Sequence, residues 1–215
     1  MKTISIDGLV GELKDSQGRL IVAVAGAPAS GKSTVAERLV EQLNEYKAGL
    51  AAAAPMDGFH LDDGLLKAKG IFDVKGAPDT FDIGGFKSLV ERLSRNEEAE
   101  INVPLFDRDL EISRAGARSI GKDVKIVVIE GNYLLLDKLP WTDIRPFYDM
   151  TVFIDVPRDV LKQRLIQRWQ SYDYTPDMIE KKLNVTDMPN VELVVTQSLH
   201  ADFMIENNQK PRQIN

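Results

Sequence analysis

The segment Gly26-Ala27-Pro28-Ala29-Ser30-Gly31-Lys32-Ser33, followed by Thr34, has the spacing G-x-x-x-x-G-K-[ST]. Its chemistry is the holding of phosphate oxygens. Glycines let main-chain amides turn inward around an anion, and a helix starting at the same place adds roughly half a positive charge. Lys32 is then placed to reach the β and γ phosphates of a nucleotide, and Ser33 to bind magnesium. All nine residues are expected to contact the nucleotide. A second acidic signal is Glu130, which closes the apolar run Lys125-Ile126-Val127-Val128-Ile129 and is expected to hold magnesium directly or through a water. A third is Asp57, just past Leu50-Ala51-Ala52-Ala53-Ala54-Pro55-Met56. It is placed to take the proton of a substrate hydroxyl, although the pair Asp57-Gly58 alone reads equally well as a turn.

These groups need a scaffold that brings them to one edge. Leu20-Ile21-Val22-Ala23-Val24-Ala25 is a continuous β-branched apolar run, and Val35, Ala36, Leu39, Val40 and Leu43 after the glycine loop fall on one helical face. That is a buried strand, a tight loop and a helix. The alternation returns with Leu50 to Ala54, a helix around Phe86 to Leu93, Lys125 to Ile129, Met150 to Val156 before a helix with Leu161 and Leu165, and Ala201 to Ile205. Buried strands alternating with amphipathic helices imply a three-layer α/β/α sandwich on a five-stranded parallel sheet. A short helix with Ile6, Leu9, Val10 and Leu13 precedes it. Periodicity lapses over 57–82 and 102–122, two stretches read as irregular functional loops. Thr175-Pro176 caps a short helix ending near Asn184, Val191 to Val195 fits strand or helix, and Asn207 to Asn215 reads as a polar tail.

Composition sets the limits. A chain of 215 residues with 43% hydrophobic and 28% charged residues is expected to form one globular domain spanning 1–215. Its net charge of -6 argues against nucleic acid or a membrane surface as partner, so an anionic ligand needs a local site. With no cysteine there is no disulfide or thiolate metal site, and a reducing cytoplasm is expected. The longest apolar runs are too short to span a bilayer, and the first residues have no apolar signal core.

The phosphate loop, Pro55-Met56-Asp57-Gly58-Phe59-His60, Lys75-Gly76-Ala77-Pro78-Asp79-Thr80-Phe81-Asp82, Val103-Pro104-Leu105-Phe106-Asp107-Arg108 and Glu130-Gly131-Asn132-Tyr133 together resemble the uridine kinase, phosphoribulokinase and pantothenate kinase superfamily. Within it the likeness is nearest to small bacterial kinases named for a fructose transport system. The resemblance covers nearly the whole chain in order. It implies ATP- and magnesium-dependent phosphorylation of a small-molecule hydroxyl, a sugar, nucleoside or pantothenate-like compound, with Asp57 as base. It also implies a pocket for that molecule between Phe81 and Arg114 and a basic helical lid over about 158–190. Gly58-Phe59-His60 stands where uridine kinases carry an aromatic pair, and Asp-Gly-Phe is nearer to the longer pantothenate kinases, so neither substrate transfers directly.

Arg164 and Arg168 lie four apart, on one helical face, a spacing that permits a two-pronged clamp on the transferring phosphate; Arg158 precedes them on the same segment. Arg108 and Arg114 fit a clamp on the acceptor or surface ion pairs. His60 fits a substrate contact or a structural hydrogen bond, and Asn190 is expected beside the adenine. Trp141, Phe147, Tyr148 and Trp169 read as packing. Oligomeric state, monomer or homodimer, is left open. A GTP-hydrolysing switch is disfavoured, since no Asn-Lys-x-Asp segment is present. The alternative is a nucleotide-binding regulator that keeps the cradle without phosphotransfer.

Overall fold

The computed structural model describes residues 1–208; the remainder of the polar tail lies outside the described residues. Six parallel strands form the sheet: β1 (Lys2–Thr3), β2 (Leu20–Gly26), β3 (Ala51–Pro55), β6 (Ile126–Gly131), β7 (Met150–Asp155) and β8 (Phe203–Glu206), in the spatial order β1-β8-β7-β2-β6-β3. β2 and β6 are interior neighbours, buried along almost their whole length and apolar apart from Glu130 near the end of β6, because helices cover both faces of a parallel sheet. The flanking helices are α1 (Ile6–Leu13), α2 (Lys32–Tyr46), α3 (Asp63–Ala68), α4 (Ile83–Arg95), α5 (Arg158–Gln170), α6 (Pro176–Lys182) and α7 (Met188–Gln197).

The five expected strands are all present, and the sheet gains a sixth. β1 is two exposed residues at the edge, paired with β8. Nothing so short and polar leaves a periodic trace. The stretch 102–122 is not irregular: β4 (Glu100–Asp107) and β5 (Ile112–Gly121) form an antiparallel hairpin outside the main sheet, with a register shift between Val103 and Leu105. Eight of the ten residues of β5 are exposed, so no buried face marks it in the sequence. Val191 to Val195 resolves as helix within α7, which is joined to α6 by one π turn, Leu183–Asp187.

Parallel pairing brings the carboxyl ends of β2, β3 and β6 level, with Pro55 and Val24 both opposite Glu130 and Ala25 opposite Gly131. The loops that follow therefore open on one edge, where ligands of such sheets bind. At the other edge Arg19 ties the layers together. Its guanidinium donates to the carbonyls of Val124, Gly121 and Leu93 at 2.9, 2.6 and 3.4 Å, joining β2 to the hairpin base and to α4. Arg19→Ala leaves three carbonyls short of a donor in a half-buried site. Urea unfolding is expected to show a loss of about 1–3 kcal/mol; an unchanged midpoint would show that water satisfies them equally.

Candidate active site

Between β2 and α2 the chain turns through two left-handed residues, Ala29 at φ 64° and Gly31 at φ 87°. Such turns rotate successive amides toward a common centre. Four other helices take a side-chain cap: Ser5 on α1, Asp62 on α3, Asp82 on α4 and Thr175 on α6. α2 begins at Gly31 with no side-chain cap and no acidic residue in its first turn. Its leading amides and its dipole are thus left for an external anion. At Gly26 a Cβ would lie 2.6 Å from Ser30 Oγ and 3.2 Å from Ile154, so only glycine lets the turn pack this tightly against β7.

Inward amides force the carbonyls outward, and these need donors. Arg164 of α5 supplies them, its Nη1 donating to Ala29 O and Ser30 O at 3.1 Å each and its Nη2 to Asn207 O at 2.8 Å. Asn207, just after β8, donates its own Nδ2 to Ser30 O at 2.8 Å. Arg164 and Arg168 share a face as expected, but they divide the work. Arg164 supports the loop from outside, while Arg168 lines the cavity with Lys32 and Asp57. Arg158 is on the surface, paired with Glu192 at 2.8 Å.

Asp57 and Lys32 face one cavity of about 120 Å³, together with Pro28, His60, Lys75, Arg108, Asn132 and Arg168. Asp57 lies in a 3-10 turn after β3. The Asp-Gly pair has a packing reason: a Cβ on Gly58 would collide with the carbonyl of Pro104, so glycine lets β4 cross the turn and deliver Arg108. Arg108 Nη2 donates to Asp57 Oδ2 at 2.6 Å. Burial alone would raise the Asp57 carboxyl, but the positive charges of protonated His60, Arg108, Lys32 and Arg168 outweigh it and leave it below the ordinary carboxylate range. Burial pulls Lys32 below the usual ammonium value against the opposing pull of Glu130 and Asp57. Burial likewise raises Glu130, against the attraction of Lys32 and of the Ser33 hydroxyl bonded to it.

His60 Nδ1 lies 2.8 Å from Asp57 O; a carbonyl can only accept, so Nδ1 carries the proton. The ring sits between Phe81 and Phe106, with centroids at 4.2 and 4.6 Å. Phe81 is buried behind His60 and makes no wall of the cavity; it also packs on Tyr133 and Trp141. Arg114 faces away from the site and pairs with Asp107 at 3.2 Å. Thr34 is exposed on the first turn of α2. Asn190 is buried and lines the same cavity as Lys32 and Asp57, its Nδ2 donating to Gly76 O at 3.3 Å, where Tyr133 OH also donates at 2.5 Å. The two donors fix the loop that carries Lys75. Trp141 and Tyr148 are core residues, whereas Trp169 faces the cavity.

Sequence reasoning missed Lys75, Asn132, Lys182 and Asp187 as cavity walls, and Asn207 as a loop support. Lys75 and Asn132 stand in quoted segments, and only the fold shows that they converge.

A phosphate cradle served by a carboxylate on the next strand end defines the P-loop kinases, and comparison with known proteins gives the family. The chain belongs to the Phosphoribulokinase / Uridine kinase family, whose model matches residues 21–212. It is 34% identical over 199 residues to the uncharacterized protein YggC of Escherichia coli K12, covering 91% of this chain and 81% of that one. It is 31% identical over 205 residues to a Schizosaccharomyces pombe protein named "Putative uridine kinase", covering 91% and 86%. Among solved structures, a "putative fructose transport system kinase" from Silicibacter sp. TM1040 superposes with a TM-score of 0.85 at 37% identity, covering 94% of this chain and 98% of that one. Among the described residues no helix is long and apolar enough to cross a membrane.

Burial and the neighbouring cations Lys75 and Arg108 together outweigh the attraction of Asp57 and leave His60 below its ordinary pKa of about 6.5. The unfolded chain therefore takes up this proton first as pH falls, so stability drops through the interval below about 6.5 and is unaffected by His60 above it. Nitrogen-15 NMR is expected to show a His60 midpoint under that value and a retained Nδ1 proton. A midpoint at or above it would mean that the ring is solvated.

Proposed function

We propose that the protein is an ATP- and magnesium-dependent kinase that transfers the γ-phosphate to a hydroxyl of a small molecule, in the cytoplasm. The observation that carries this reading is that Lys32 and Asp57 line the same cavity, which supports a phosphate ligand and a proton acceptor acting in one space. The loop amides and Lys32 hold the phosphates. Ser33 and Glu130 would supply two oxygens for magnesium, which neutralises phosphate charge when bound.

The acceptor oxygen bonds to the γ-phosphorus as the bond to the bridging oxygen breaks, and the hydroxyl proton passes to Asp57. Arg108 occupies one oxygen of that carboxylate and leaves the other for the acceptor. A low pKa makes Asp57 a weak base. In a loose phosphoryl-transfer transition state, however, orientation contributes more than basicity. Sugars, nucleosides and pantothenate-like compounds all present such a hydroxyl.

Asp57→Asn is expected to lower turnover about 100-fold or more while ATP affinity stays within about threefold, read by coupled ADP release and by nucleotide titration. Turnover equal to wild type would reduce Asp57 to a turn residue. ATP binding without acceptor-dependent ADP release, across sugars, nucleosides, pantothenate and glycerate, would leave a nucleotide-binding regulator.

The two lid arginines separate by the same measurements. Arg164→Ala is expected to weaken ATP binding about tenfold by releasing the loop carbonyls, whereas Arg168→Ala is expected to cost about a thousandfold in turnover with little change in ATP affinity. Identical profiles for both variants would restore the two-pronged clamp.

A further inference from the structure

Among the described residues, Ala29, Asn96, Glu111 and Asp173 are the non-glycine residues with a left-handed backbone. Asparagine and aspartate take that conformation readily, and Ala29 belongs to the phosphate loop. Glu111, at φ 56°, needs another reason. It closes the turn 108–111 between β4 and β5, and the same turn carries Arg108.

Lys75 supplies that reason. Its ammonium donates to Glu111 O and Glu111 Oε2 at 3.0 Å each, and to Asp63 Oδ1 at 2.8 Å. The carbonyl and the carboxylate of one residue thus meet on a single cation, which holds the backbone between them. An ammonium has three protons to donate, and all three are engaged. Lys75 therefore lines the cavity of Lys32 and Asp57 with no donor left for a ligand. Its own backbone is firmly held, because the next residue donates its amide, Gly76 N, to the fully buried Thr80 at 2.9 Å and accepts at its carbonyl from Asn190 and Tyr133.

The clasp decides where Arg108 lies. Asp107 Oδ1 shapes the start of the turn by accepting from the amides of Asp109 and Leu110 at 3.2 and 3.1 Å, and Glu111 sets its end. Between them Arg108 passes over the Phe106 ring, 5.8 Å from its centroid, to reach Asp57 Oδ2 at 2.6 Å. Its side chain is 43% exposed, and an exposed arginine on a loose turn gains little from one carboxylate over water. We infer that Lys75 is a positioning residue: by clasping Glu111 in its left-handed conformation, it fixes the hairpin turn that delivers Arg108 to the Asp57 carboxylate. The inference rests on the kinase reading for its consequence in turnover, and on the geometry alone for the placing of Arg108.

Glycine adopts a φ of 56° without strain, so Glu111→Gly is expected to keep the turn in shape when the clasp is gone. The test compares wild type, Lys75→Met and the double variant Lys75→Met/Glu111→Gly. Nitrogen-15 NMR of the Arg108 guanidinium reads its bond to Asp57, since a guanidinium held at Nη2 shows distinct Nη resonances and a free one averages them. They are expected to be distinct in the wild type, averaged in Lys75→Met and distinct again in the double variant. In ADP release with ribose, fructose, uridine, pantothenate or glycerate as acceptor, Lys75→Met is expected to lower kcat about tenfold with ATP affinity within about twofold, and the added glycine to bring kcat back to within about threefold of wild type. A lysine that touched the substrate would not be replaced by a glycine on the hairpin. Averaged resonances in the wild type, distinct ones in Lys75→Met, or averaged ones still in the double variant overturn the inference, as does a loss of turnover that the glycine leaves unrepaired. A wild type that releases no ADP with any of these acceptors rejects the kinase reading instead, and the Arg108 resonances then decide the placement alone.

Discussion

A peptide plane cannot aim its amide and its carbonyl in the same direction. Everything at this edge of the sheet follows from that constraint. For the amides after Gly26 to converge on an anion, the carbonyls of Ala29 and Ser30 must face the outside of the loop, and each needs a donor there. The protein provides Arg164 from α5 and Asn207 from the segment after β8, elements far apart in sequence that parallel pairing brings together. The inner side of the loop is left without a protein partner by design of the sequence: Gly31 has no capping side chain, and the first turn of α2 has no carboxylate. A helix end so exposed is costly when empty and favourable when an anion fills it, which makes the fold and the ligand energetically complementary.

The parts that could be read from the sequence are those whose physics is local. A run such as Ile21 to Ala25 can only be a buried strand, and a glycine loop between such a run and an amphipathic helix can be placed at the sheet edge without coordinates. Asp57 and Glu130 were legible because each ends an apolar run, and strand ends in a parallel sheet share an edge. β1 and β5 were not, because two exposed residues and a polar hairpin arm carry no buried face. The roles of Arg164 and Phe81 were beyond reach for a related reason. Helical spacing shows that Arg164 and Arg168 share a face, but not that one reaches the outside of the loop and the other the cavity. The resemblance puts Phe81 at the start of the acceptor pocket, yet the bridge between His60 and Phe81 packs it against the imidazole instead.

The charges around the cavity form a chain in which each sign is set against the next. Glu130 and Asp57 pull on Lys32, Arg108 holds Asp57, Asp63 and Glu111 hold Lys75, and Arg168 and Lys182 rest on Trp169, whose indole holds Asp187. A protein with a net charge of -6 must attract an anionic ligand through local field alone, since at physiological salt charges farther than about 8 Å are screened. The walls of Trp169, Tyr172, Tyr174 and Phe72 around Arg168 and Lys182 strengthen such a field, because low-dielectric walls carry it inward instead of letting water disperse it. The aromatic residues that look like simple packing in the sequence are therefore part of the electrostatics. They hold Arg168 and Lys182 in place without neutralising them, and leave their charge available to whatever enters.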